Sequence, residues 1–247
     1  MYKLGKRPAR IDRRTLPFKC LLKKLPSIPE NFDLEADMNF PCKMWENDTY
    51  GDCVIVGRTN HTLRLEYAEQ GKYLNISDEE VLEQYWKEGR RFCFDKFIKP
   101  DRGLVMLDSM KAWRKGWVAS GKKYNIYAFA ETNKFDKYET KAALYLLNGL
   151  NIGLALPNSY GDQDIWSDTS DPPNYRNGHC VYVRPFWCDG LMKLVTWGQD
   201  DQYMTYEFYR KYCDEPFAVI DDVNKWLGAD STLDIPLLEG YLREVTK

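Results

Sequence analysis

The sequence NDTYGDC at residues 47–53 leads directly into the apolar run VIVG at residues 54–57. A segment that is apolar on all sides indicates a buried helix. We predict that this helix runs from Cys53 to about Gln70 and that Gly71 ends it. The positive end of a helix dipole lowers the pKa of a thiol at the first residue and favours the thiolate. Cys53 is therefore the candidate nucleophile.

A nucleophilic thiol needs a general base, and the chain contains only two histidines, His61 and His179. His61 would lie on the same helix, roughly 12 Å along its axis from Cys53, which is too far for a hydrogen bond. His179 stands in the sequence GHCV at residues 178–181, at the start of a predicted strand. A thiolate at a helix start that faces a histidine on a sheet is the geometry of a cysteine protease.

The remaining sequence changes its periodicity once. Helices are predicted from Ser77 to Gly89, with Ser77 and Glu80 as a capping box, over about 107–117, and from about Asp136 to Asn148. Segments rich in Val, Ile, Tyr and Phe then predict strands at 150–156, 179–184, 191–197, 203–209 and 217–220, with Asp189-Gly190 as a hairpin turn. Helices followed by strands predict an α+β protein with segregated halves.

Three segments, in the expected order, resemble motifs of the papain family of cysteine proteases. NDTYGDC at 47–53 is similar to the family's QGSCGSC, GHCV at 178–181 to its GHAV, and VTWG at 195–198 to its NSWG. The longer pattern W-x-N-D-x-Y-G-D-C at 45–53 also resembles papain-like proteins encoded in bacteria and their phages. The resemblance covers about residues 31–220 and implies a papain-like fold, with an antiparallel, barrel-like second half.

The resemblance also implies roles for individual residues. Cys53 would be the nucleophile and His179 the base, which later acts as the acid. Asn47 would hold the oxyanion together with the backbone N–H of Cys53. Trp197 would shield the contact that orients the histidine.

The residue that orients His179 stays open at this point. The family's asparagine falls on Val195, which has no side-chain acceptor, and Thr196, Asp200 and Asp201 are the alternatives. The chain has seven cysteines but no CxxC pair, so no structural zinc site is expected. No cofactor is implied.

The charge is distributed unevenly along the chain. Residues 1–26 carry nine basic side chains and one acid, whereas the rest has a net charge of −10. We therefore predict a basic arm at 1–30 and a papain-like domain at 31–247, with a helical part over about 31–147 and a β-rich part over about 148–247. The arm would either fold back on the acidic body or bind nucleic acid or an acidic protein. Its three prolines predict an extended, non-helical segment, and its shortness predicts that the usual inhibitory pro-segment is missing.

Two functions of different classes fit these residues. The first is a thiol hydrolase that cleaves peptide or amide bonds of a peptide or protein substrate through an acyl-enzyme. The second is a catalytically degenerate structural or binding protein, for example a phage virion component in a larger assembly. An amidase or a transglutaminase-like transferase is a third, weaker alternative. No apolar run approaches eighteen residues and no secretory signal is recognised, so we expect no membrane partner and a cytoplasmic location, or a virion.

Overall fold

The computed structural model describes residues 2–24, 26–90, 99, 101–221 and 232–245. Within them, the helices are α1 (Cys53–Gln70), α2 (Asp78–Gly89), α3 (Met106–Lys115), α4 (Lys137–Leu146), α5 (Tyr206–Tyr212) and α6 (Ile235–Val245). Two short 3-10 helices, Phe18–Leu21 and Asn158–Asp162, lie outside this set.

The described strands are β1 (Phe32–Asp33), β2 (Trp117–Ala119), β3 (Lys122–Tyr124), β4 (Ala128–Glu131), β5 (Leu150–Ala155), β6 (Ile165–Trp166), β7 (Gly178–Val183), β8 (Phe186–Trp187), β9 (Leu191–Thr196), β10 (Gln199–Thr205) and β11 (Cys213–Ile220). Seven of them form one sheet in the order β4-β11-β5-β7-β9-β10-β6. Neighbours in this sheet are antiparallel except β6 and β10, which are parallel. The predicted order of helices first and a β-rich half second is confirmed.

Helix α1 positions the candidate nucleophile, and its bounds agree with the prediction. It begins at Cys53 and ends at Gln70, where Gly71 adopts the left-handed conformation with φ 67° that a glycine takes without steric cost. All residues from Cys53 to Leu65 are buried because the helix packs along strand β7. Helix α2 likewise has the predicted capping box, with Ser77 and Glu80 bonded to each other's backbone.

Strand β7 lies between two apolar clusters. Successive side chains of a strand point to opposite faces of the sheet. Cys180 and Tyr182 accordingly pack in the cluster that contains α1, whereas Val181 and Val183 pack in the other. The pairing of Leu154 on β5 with His179 fixes the register of β5 against β7 at the predicted catalytic histidine.

Some predicted elements differ from the structure. The strand predicted at 203–209 ends at Thr205, and residues 206–212 are helical, because the Thr205 side chain accepts a hydrogen bond from the Phe208 backbone and caps α5. The helix predicted over 107–117 ends at Lys115, since Gly116 leaves the helical conformation. The arm is not wholly extended either, because residues 18–21 form a 3-10 turn whose Phe18 and Leu21 are buried in the core.

Candidate active site

Cys53 opens helix α1 with its thiol fully buried beside strand β7. Burial raises the pKa of this thiol to about 12, although hydrogen bonds from the backbone of Cys180 and Gly5 act in the opposite direction. The predicted lowering of this pKa by the helix dipole is therefore wrong for the structure described here. The thiol is protonated at neutral pH because water is excluded from it.

His179 is held at one ring nitrogen and unpartnered at the other. Its Nε2 lies 2.7 Å from Oγ1 of Thr196, and the ring stacks on Trp197 with centroids 4.2 Å apart and planes at 12°. Its Nδ1 is buried and has no hydrogen-bond partner among the described residues, so no hydrogen bond joins His179 to Cys53 in this arrangement. Burial lowers the pKa of the imidazole to about 3, which keeps the ring neutral at pH 7.

Of the three alternatives left open by the sequence, Thr196 is the one whose side chain is seen to hydrogen-bond His179. The Val195 side chain packs with the apolar cluster of α1, while the Thr196 hydroxyl faces the imidazole. Asp200 contacts Arg184 instead, at 3.4 Å. Trp197 takes the position that the resemblance implies, flat against the histidine ring.

Asn47 is buried, and its side chain bonds within its own loop. Its Nδ2 donates to Oδ1 of Asp52 at 2.7 Å and to the carbonyl of Tyr50 at 3.4 Å. These bonds use both hydrogens of the NH2 group that an oxyanion hole requires, so Asn47 must release Asp52 or Tyr50 before it could bind an oxyanion. The role implied for Asn47 stays a prediction.

Asp52 is a site residue that the sequence analysis missed. The residue is fully buried, and its Oδ2 has no hydrogen-bond partner among the described residues. Burial raises the pKa of this carboxyl to about 8, against the opposing hydrogen bond from Asn47. The sequence did contain a signal for the burial of Asp52, because this residue directly precedes Cys53 at the start of a helix that is predicted to be buried.

The N-terminal arm crosses the site and covers Cys53. Tyr2 stacks on Trp197 with centroids 4.9 Å apart, and the carbonyl of Lys3 accepts from Nε1 of Trp197 at 3.4 Å. Further along, the backbone of the arm pairs with both walls. Lys6 N–H donates to Gly178 O at 3.0 Å, and Leu104 N–H donates to Gly5 O at 2.9 Å.

Glycines make this close approach possible. A Cβ on Gly5 would lie 1.8 Å from the carbonyl oxygen of Gly51. A Cβ on Gly103 would lie 1.9 Å from Gly5 O, and one on Gly178 would lie 2.0 Å from Lys6 O. Backbone therefore packs directly on backbone, and any larger residue would hold the arm away. The short arm itself therefore occupies the site, and the absence of the usual inhibitory pro-segment stays a prediction.

Most of the basic residues of the arm form ion pairs with acidic residues of the same chain. Within the described part of the chain, five of its nine basic residues have an acidic partner within 4.0 Å: Lys3 with Asp101, Lys6 with Asp214 and Glu215, Arg10 with Asp108, Arg14 with Asp12, and Lys19 with Asp136. The arm folds back on the acidic body, which is one of the two predicted alternatives. Binding of nucleic acid or an acidic protein by residues 1–26 stays a prediction.

His61 and Cys180 both have buried side chains in the core. The Nδ1 of His61 lies 2.6 Å from Nδ2 of Asn151 inside the core, whereas its buried Nε2 has no hydrogen-bond partner among the described residues. Cys180 is also a core residue, with its sulfur 3.8 Å from that of Met106. Among the described residues, no group of three His, Cys, Asp or Glu side chains could hold a metal ion. None of the described helices is both long and apolar enough to cross a membrane.

No protein-family model and no curated protein sequence matches the chain. Several solved structures, in contrast, are similar to this chain. Xylellain, a cysteine protease from Xylella fastidiosa, superposes with a TM-score of 0.67 and 16% identity over 89% of this chain and 96% of its own. Procathepsin B S9 from Trypanosoma congolense superposes with a TM-score of 0.60 and 15% identity, over 88% of this chain and 86% of its own. The Carica candamarcensis cysteine protease CMS1MS2, solved in complex with E-64, superposes with a TM-score of 0.57 and 12% identity, over 78% of this chain and 99% of its own. The fold of this chain is therefore the papain-like fold of these cysteine proteases.

Proposed function

We propose that the protein is a thiol hydrolase that cleaves peptide or amide bonds through an acyl-enzyme on Cys53. One observation carries the proposal: His179 is fixed at Nε2 by Thr196 while its buried Nδ1 has no partner among the described residues. A general base needs one free nitrogen and a fixed ring. The fold supports the same function, because the similar solved structures are cysteine proteases.

The reaction would proceed in two steps. Nδ1 of His179 takes the thiol proton as Sγ of Cys53 attacks the carbonyl carbon, and the imidazolium then gives this proton to the leaving amine. Water, deprotonated by the same nitrogen, next hydrolyses the thioester and releases the acid. Throughout, Nε2–H donates to Thr196. The backbone N–H of Cys53 at the start of α1 would bind the oxyanion, joined by Asn47 once its amide leaves Asp52.

In this proposal the described arrangement is a latent one. The thiol and the imidazole are both buried and both neutral at pH 7, because the arm excludes water from them. A substrate needs the space that Gly5 and Lys6 occupy, so hydrolysis requires the arm to leave. We further propose, from the pattern at residues 45–53, that the chain belongs to the bacterial and phage-encoded branch of papain-like proteins.

The covered site favours a second candidate, a non-catalytic binding protein on the same fold, for which a virion component is one case. In that case the arm would be a permanent part of the core and Cys53 a buried apolar residue. The two candidates differ in what happens when the arm is displaced.

The test uses the full chain with Gly5→Ala, which blocks close docking of the arm. The variant is incubated with a fluorogenic peptide-amide library, and the acyl-enzyme is sought by intact mass spectrometry. The thiol hydrolase predicts turnover and a Cys53 adduct, both lost in Gly5→Ala/Cys53→Ala and both retained in Gly5→Ala/Cys20→Ala. Cys20 is exposed and has no part in the site. A folded Gly5→Ala protein with no turnover and no adduct would support the binding protein instead.

A further inference from the structure

Lys6 is a buried cation within the covered site. Its side chain is 1% exposed, and its Nζ lies 2.9 Å from carboxylate oxygens of both Asp214 and Glu215. The same nitrogen lies 3.2 Å from the carbonyl of Arg7. An ammonium group with this many acceptors and almost no water is fully coordinated by protein.

The pocket that holds Lys6 belongs to the body of the protein and not to the arm. Asp214 and Glu215 are on strand β11, and Gly153 faces Glu215 from strand β5. A Cβ on Gly153 would lie 2.0 Å from Cε of Lys6, so only a glycine leaves room for the lysine stem. Gly153 also pairs with Cys180 on β7, and the next residue, Leu154, pairs with His179. The pocket therefore opens one register position from the candidate base.

The pocket loses its balancing cation when the arm leaves. Glu215 is 4% exposed and Asp214 is 14% exposed in their side chains, and the cation that balances them is on the arm. Two buried carboxylates without a cation are costly, because nothing then offsets their desolvation and mutual repulsion. The acidic groups and the space beside Gly153 suit a replacement cation that has an apolar stem.

We propose that the pocket formed by Gly153, Asp214 and Glu215 is a specificity pocket that binds a lysine side chain of the substrate, and that Lys6 fills it while the arm is docked. This inference rests on the proposed thiol hydrolase. It names the substrate class as peptides or proteins with a lysine among the three residues before the cleaved bond.

The first experiment tests the pocket without relying on catalysis. In full-length Lys6→Ala, n-propylammonium has the carbon stem and ammonium group that the substitution removes. We expect n-propylammonium chloride at about ten times its Kd to raise Tm by ~3 °C. n-Propanol and sodium chloride, each at the same concentration as the n-propylammonium chloride, should leave Tm unchanged. The rise should disappear in Lys6→Ala/Asp214→Asn/Glu215→Gln. Lys6→Met, which refills the pocket with an apolar stem, should not respond. No rise in Lys6→Ala, or an equal rise with n-propanol, would overturn the inference.

The second experiment tests the pocket as a substrate site. Full-length Gly5→Ala is treated with pairs of thiol-reactive peptides that carry lysine or norleucine at the first, second or third residue before the electrophile. At one position, the lysine peptide should label Cys53 at least about tenfold faster, which corresponds to 1.4 kcal/mol. The preference should fall to about one in Gly5→Ala/Asp214→Asn/Glu215→Gln. Equal rates at every position overturn the inference.

The two failures can be told apart. If peptides label Cys53 without a lysine preference, the pocket is only an anchor for the arm and the thiol hydrolase stands. If n-propylammonium stabilises Lys6→Ala but neither peptides nor iodoacetamide modify Cys53 in Gly5→Ala, the thiol hydrolase fails, and the substrate role of the pocket fails with it.

Discussion

Thr196 holds His179 through a single hydroxyl group, 2.7 Å from Nε2. The neighbouring Val195 has no polar side-chain atom and packs in the core. In the proposed mechanism the Nε2–H of the imidazolium donates to this hydroxyl while Nδ1 handles the proton of the reaction. Hydrogen bonds to charged groups contribute about 1.5–3 kcal/mol, so this one contact should matter to the chemical step.

We predict that Thr196→Val lowers kcat by roughly 10- to 100-fold, because the imidazolium loses that hydrogen bond. Thr196→Ser keeps the hydroxyl and should retain most of the activity. Both are measured in the Gly5→Ala background, with urea unfolding to check that the fold is intact. A Thr196→Val enzyme as fast as its Gly5→Ala parent would show that Thr196 does not orient the base.

Asp52 gives a prediction about stability and pH. Its folded pKa of about 8 lies above the ordinary value near 3.9, so between these values the folded state holds a proton that the unfolded state has lost. The contribution of Asp52 to the free energy of unfolding must therefore fall as pH rises through this range, by up to ~1.4 kcal/mol per pH unit.

Asp52→Asn removes this titration and keeps an oxygen that can accept from Asn47. Relative to wild type, we expect the variant to gain stability steadily from pH 4.5 to pH 7.5 in urea unfolding. The matched control is Asp48→Asn, at an exposed position of the same loop. A difference between Asp52→Asn and wild type that does not change with pH would contradict the assignment of a buried, neutral Asp52.

At this scale the sequence could identify residues but not their partners. Cys53 and His179 follow from a helix start, a strand start and the shortage of other histidines. The choice of Thr196 over Asp200 or Asp201 depends on the position of Thr196 at the end of β9, facing the imidazole, and on the Arg184 contact of Asp200 on β10. The bond between Asn47 and Asp52 depends on the burial of both side chains, which the local sequence does not reveal.

Among the elements, α2 and α5 differ in how clearly their sequences mark them. Helix α2 has a capping box and an apolar stripe at helical spacing, so its bounds could be predicted. Helix α5 is short and contains the aromatic residues Tyr206, Phe208, Tyr209 and Tyr212, which favour strands. Its helical signals were the Thr205 cap, Glu207 in the first turn and two basic residues in the last.

The cap of α5 can be tested directly. Thr205→Ala removes the acceptor for the Phe208 N–H, so we expect the free energy of unfolding to fall by ~1 kcal/mol. Thr205→Ser keeps the hydroxyl oxygen, so its free energy of unfolding should fall much less. Urea unfolding of the two variants measures the difference. Equal stabilities for Ala and Ser at this position would mean that the hydroxyl does not cap the helix.

For the whole molecule, the main feature is the docking of residues 2–7 across the site. The contacts bring Gly5 against Gly51 and Gly103, and Lys6 against Gly178, from four separate parts of the chain. The sequence could predict a basic arm and an acidic body from charge alone. It could not predict the site of docking, because that depends on glycines brought together only by the folded sheet and helix α1.

Whether the arm covers a thiolate–imidazolium pair is decided by the pH dependence of iodoacetamide labelling at Cys53, read by peptide mass spectrometry with Cys20 as the internal reference. In wild type we predict that Cys53 labels far more slowly than Cys20. In Gly5→Ala it should label well below pH 7, and adding His179→Ala should abolish that low-pH labelling, whereas Gly240→Ala, which puts a methyl in open space, should behave as wild type. If Cys53 in folded Gly5→Ala stays inert, or follows an ordinary thiol pKa near 8.5 with and without His179, the account of an arm-covered thiolate–imidazolium site is contradicted.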